Sequence, residues 1–102
     1  MAQTQLEKLK ITLGIKDILK DDELSLLLED AENDVIVWTN RKTLPVQLES
    51  VVRQIAVIRY NMQGIEGQSG HSEGGVSRSF DELPQSVRNT LMQFKLLKAA
   101  RL

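Results

Sequence analysis

Cysteine is absent from this chain, and that excludes disulfides and thiolate metal sites together. Histidine occurs once, as His71, so no paired-histidine metal or catalytic arrangement is available. Aromatics are limited to Trp38, Tyr60, Phe80 and Phe94, which leaves Leu, Ile and Val to make any core. The first residues, Met1-Ala2-Gln3-Thr4-Gln5, do not read as a signal peptide, and no long uncharged apolar run is present. Only two prolines punctuate the chain, Pro45 and Pro84, and alternation of the strand type is lacking over any useful length. These absences leave an all-α reading without a membrane span, consistent with synthesis and residence in a reducing compartment.

What is present starts with 102 residues, 41% of them hydrophobic and 26% charged, which suits a single domain spanning 1–102. The central stretch is Pro45 to Gly64, PVQLESVVRQIAVIRYNMQG. Leu48, Val51, Val52, Ile55, Ile58 and Met62 recur at helical spacing, and Ala56, Val57 and Tyr60 widen the stripe. A helix apolar around most of its circumference is covered on several sides. Pro45 suits a first helical position, and Gly64 suits the residue just past a helix end. Gln47, Glu49, Arg53, Gln54 and Arg59 make its polar remainder.

Three more helices flank it. Leu6, Leu9 and Leu13 form a narrow stripe that Gly14 stops. Leu24, Leu27, Leu28, Ala31, Val35 and Trp38 stripe a second helix, with Asp21 or Asp22 as the expected N-cap. Trp38 reads as a core anchor, whose truncation would cost about 3–5 kcal/mol if it is fully buried. Val87, Leu91, Phe94 and Leu97 stripe a last helix begun at Pro84, and Met92, Leu96, Ala99, Ala100 and Leu102 add a second apolar edge. The expected helices are 3–13, 22–39, 45–63 and 84–100. Together they form a small bundle with a long Gly/Ser-rich loop between the third and fourth helices.

That loop, Ile65 to Leu83, contains Gly67, Gly70, Gly74 and Gly75. Loops of this length are usually functional or disordered. Fixing each residue costs roughly 1–2 kcal/mol, so Ile65, Val76 and Phe80 cannot order it without help from a partner. Three readings stand: a phosphate cradle, a passive connector, and an assembly loop that folds against neighbouring subunits. Gly74-Gly75-Val76-Ser77-Arg78 lacks the Gly-Lys-Ser/Thr of a P-loop and has no strand before it.

Charge is unevenly distributed. From Gln85 onward the charges are Arg88, Lys95, Lys98 and Arg101, a balance of +4 that leaves −5 for the remainder of a chain whose net charge is −1. The acids concentrate between Asp17 and Asp34, against Lys20 alone. A basic terminal segment on an acidic body suggests docking on something acidic, while a pair of solvated faces is the plainer alternative. His71, the loop serines and the neighbouring acids show no spacing that fixes a base beside a nucleophile, so no enzyme activity and no cofactor or metal is expected. A sequence pI of 5.8 argues against sequence-specific nucleic-acid binding.

The order of these pieces resembles the head–tail connector (adaptor, or head-completion) proteins of long-tailed bacteriophages. The resemblance rests on the LEKLK-type start, the Gly14-Ile15 connector and the acidic Leu-rich helix ending in WTNRK. Its most telling residues are Arg59-Tyr60-Asn61, Gly64, Glu66-Gly67 and Ser72-Glu73-Gly74-Gly75-Val76-Ser77. It implies a virion protein that assembles as a ring beneath the portal, extends the DNA channel and presents a surface to the next connector, the stopper. It also implies partners in the portal, the stopper and further copies of the chain, with DNA passing through unread. The free subunit could be monomeric, and assembly would take place in the host cytoplasm. The candidate assembly-loop residues are Ile65, Gly67, Gly74, Gly75, Val76, Ser77, Arg78 and Phe80. The candidate docking residues are Lys95, Lys98 and Arg101. The runner-up is a small helical DNA-binding or DNA-packaging accessory protein, which strong salt-dependent DNA affinity would reveal.

Overall fold

The computed structural model describes residues 3–69 and 80–96. Four α-helices and two short 3₁₀ turns account for most of them: α1 (Gln5–Leu13), α2 (Asp21–Trp38), a turn at Val46–Leu48, α3 (Glu49–Ser69), a turn at Phe80–Glu82 and α4 (Gln85–Phe94). The described residues contain no strand.

α1 is short, and both its ends are secured. Glu7 N donates to Thr4 Oγ1 at 3.0 Å, and Thr4 N donates to Glu7 Oε1 at 2.9 Å. This reciprocal capping box satisfies two otherwise unpaired donors. Gly14 takes φ 75°, and the backbone closes with Gly14 N to Ile11 O and Ile15 N to Lys10 O. A left-handed residue with this pair of bonds is the Schellman ending, and glycine adopts it without a Cβ clash.

The N-cap of α2 lies before both expected residues. Lys20 holds the N-cap position without a side-chain bond, so neither Asp21 nor Asp22 caps the helix. Both lie in the first turn with Glu23, where carboxylates still favour the positive helix end. Asp21 is instead drawn across to α1, its Oδ1 lying 2.7 Å from Lys10 Nζ. At the far end Asn40 adopts φ 58°, with Asn40 N bonded to Val37 O and Arg41 N to Ile36 O, a second Schellman ending that uses asparagine.

The prolines precede their helices. Pro45 has ψ 144° and Pro84 has ψ 149°, extended values that place each at the N-cap position, outside the first turn. α3 runs past Gly64 to Ser69, so Gly64 does not end the helix. Glycine weakens a helix interior by about 1 kcal/mol but does not break its hydrogen-bond ladder. The expected loop 65–83 is therefore shorter at both ends: its first five residues are helical, and Phe80–Glu82 forms a turn. The expected fourth helix also stops early. Lys95 takes an extended backbone, and residues 97–102 lie outside the described residues.

The core gathers the predicted stripes. Leu9 from α1, Leu24, Leu27, Leu28, Ala31 and Val35 from α2, and Val51, Val52, Ile55 and Ala56 from α3 are buried, with Leu48, Leu83, Val87 and Leu91 completing it. Each such aliphatic side chain contributes roughly 1.5–3 kcal/mol on burial. α3 is central, packed on both α2 and α1. Trp38 is only half-buried; its ring packs edge-to-face on Phe80 with centroids 5.5 Å apart.

Candidate assembly surfaces

Two polar joints set how the helices present their outer faces. The first is buried. Arg59 lies on the apolar stripe of α3, 2% exposed, and its Nη2 donates to Asp34 Oδ2 on α2 at 2.8 Å. An ion pair in this setting fixes the register of two helices, because sliding either would strand a charge away from water. Thr39 is also buried at the end of α2, where its hydroxyl returns a hydrogen bond to Val35 O at 2.7 Å.

The second joint is a clasp between the α2–α3 corner and the end of α4. Arg41 Nε donates to Phe94 O at 2.8 Å, and the guanidinium lies over the Phe94 ring, 5.8 Å from its centroid. Leu96 N donates to Thr39 O at 2.9 Å, and Asn40 Nδ2 returns a bond to Leu96 O at 2.9 Å. Arg41 thereby serves a carbonyl that the end of α4 leaves without an intrahelical donor. The left-handed turn at Asn40 aims both side chains at α4. The clasp holds the end of α4 and Leu96 against the C-terminal end of α2.

Several large apolar side chains are exposed. Ile18 and Leu19 stand at 75% and 86% exposure on the α1–α2 connector, and Leu26 and Val37 at 57% and 68% on α2. Ile11, Val46, Met92 and Leu96 are also open to solvent. A cleft of about 360 Å³ runs between α1, α3 and α4, with Val57, Ile58, Pro84 and Val87 on its walls and Arg53 at its polar side. Arg53 is tied back to α1 by a 2.8 Å bond to Gln5 Oε1, and Gln5 Nε2 donates to Glu49 O. Among the described residues no group of acids or histidines could hold a metal ion.

The predicted site residues are dispersed. Ile65 and Gly67 fall in the last turns of α3, and Phe80 begins the turn before α4, against Trp38 of its own chain. Gly74, Gly75, Val76, Ser77 and Arg78 lie outside the described residues, as do Lys98 and Arg101. Lys95 is exposed at the end of α4. Sequence reading counted Arg59 among the polar remainder and missed its burial. Its spacing from Leu48, Val52 and Ile55 was the available signal, since that register points inward. The clasp residues Asn40 and Arg41 had one cue, the tolerance of asparagine for left-handed backbone at a helix end.

The described body is all-helical, with an acidic α2 and several large apolar side chains open to solvent. The model of the phage gp6-like head-tail connector family matches residues 3–95, and the chain belongs to that family. No match was found among curated proteins or among solved structures. The family is structural and makes the protein a component of the phage virion, working with other head and tail proteins. Among the described residues, no helix is long and apolar enough to cross a membrane.

Proposed function

We propose that the protein, as one domain over residues 1–102, assembles as a ring beneath the portal, extends the DNA channel and offers the docking surface for the stopper. The observation that carries this reading is the family match across residues 3–95, on a chain whose own helices form the expected bundle. Ring closure requires two unlike surfaces on one subunit, since head-to-tail contacts join different patches. The acidic α2 and the basic Lys95, Lys98 and Arg101 are such a pair. The glycine-rich connector with Gly74, Gly75, Val76, Ser77 and Arg78 adds contacts to neighbouring subunits, which supply the ordering energy it lacks alone. A net charge of −1 suits a conduit, because a strongly basic lining would hold DNA phosphates during passage.

Sedimentation of the protein with and without its phage's portal tests this. Co-sedimentation as one large complex is the expected result. Failure to join the portal, combined with tight DNA binding that weakens steeply with salt, would replace this reading with that of a packaging accessory protein.

A further inference from the structure

Among the described residues, nothing covers the outer face of α2. Between Asp21 and Trp38 there is no Lys, Arg or His, and the last turn of the helix carries no base to complement its negative end. At 100° per residue, Asp22, Glu23, Leu26, Glu29, Asn33 and Val37 fall on one side, opposite the buried Leu24, Leu28 and Val35, and all six are exposed. The face thus combines carboxylates with two large open aliphatic side chains. None of Asp22, Glu23 and Glu29 is in an ion pair with a described residue.

The complementary chemistry is in the same chain. The sequence from Lys95 to Leu102, KLLKAARL, has three bases, no acid, three leucines at Leu96, Leu97 and Leu102, and the small Ala99 and Ala100 between them. We propose that the outer face of α2 is the seat of this C-terminal segment from a neighbouring copy, with Lys98 and Arg101 against the carboxylates and the leucines over Leu26 and Val37. Reach favours the neighbour over the segment's own subunit. The clasp starts the segment at Thr39, and Glu23 lies roughly 24 Å away at 1.5 Å of rise per residue. The six residues after Leu96 span about 20 Å fully extended and about 9 Å as helix. A subunit's own segment falls short of the far acids, whereas a neighbour's can enter from either end. This inference rests on the ring reading.

The chain's lack of cysteine makes the test direct. Full-length Glu29→Cys and Ala100→Cys proteins are mixed, assembled on the portal and treated with a short thiol crosslinker. A covalent dimer that needs both variants and the assembled state is expected. In parallel, Glu23→Lys/Glu29→Lys and Lys98→Glu/Arg101→Glu should each lower ring yield at least about tenfold, and the two sets combined in one chain should recover most of it. Circular dichroism of each variant checks that the helices are intact. Rings of normal yield without the dimer, or Ala100→Cys crosslinking to the portal alone, would overturn the inference and leave the ring reading standing. If the unaltered protein forms no ring, both fall.

Discussion

Arg59 and Arg41 each bridge two helices with a 2.8 Å hydrogen bond, yet they do so in different surroundings. Arg59 is buried against a carboxylate between α2 and α3, at the centre of the fold. Arg41 is half-buried, pairs with a backbone carbonyl and covers an aromatic ring at the edge. Bond length therefore says little about what each joint contributes; burial decides it. Removing one partner of a buried pair leaves a charge without water, whereas water can replace much of what an edge arginine supplies. The molecule has a central seam that specifies register and a peripheral clasp that ties the end of α4 to the α2–α3 corner.

The largest effect should come from breaking the seam. Arg59→Ala is expected to destabilise by about 3–5 kcal/mol in urea unfolding. Replacing both partners, Arg59→Met with Asp34→Leu, should cost less than either single change, because no charge is left stranded. If the double variant is the worse one, the pair contributes net stability beyond register. Trp38→Ala should follow at about 2–3 kcal/mol, below the value for full burial because Trp38 is only half-buried. Arg41→Ala should lose only about 1–2 kcal/mol and expose the end of α4 to amide exchange before the rest unfolds. Asn40→Gly should fall within about 1 kcal/mol of the parent, since glycine accepts the left-handed turn but loses the bond to Leu96 O, while Asn40→Val should be clearly worse. Thr4→Ala removes the capping box and should cost about 1 kcal/mol. Smallest of all, Lys95→Glu should shift stability by less than about 0.5 kcal/mol.

The difference between seam and edge also explains what could be read from the chain beforehand. Leu24, Leu27, Leu28, Ala31 and Val35 announced the inner face of α2 by spacing alone, because packing against α3 requires that period. The Gly14 stop was equally plain, as Gly14 sits where the apolar stripe ends. Gly64 misled because glycine favours a helix end without enforcing one, and the helix ladder continued through it. Pro45 and Pro84 marked helix starts but sat one position further out, where an extended ψ is allowed. The candidate assembly surfaces were the least legible part. Charge blocks were visible, but which side of α2 they occupy depends on where Leu24, Leu28 and Val35 point once packed. The clasp joins residues more than fifty positions apart, and no local pattern encodes such a contact.

Whether this chain closes into a ring on the portal is decided by electron microscopy of the protein mixed with its portal. The expected result is a closed ring of helical subunits stacked coaxially on the portal around an open channel. Portals bare of added density, or isolated subunits bound without contact to one another, would contradict it.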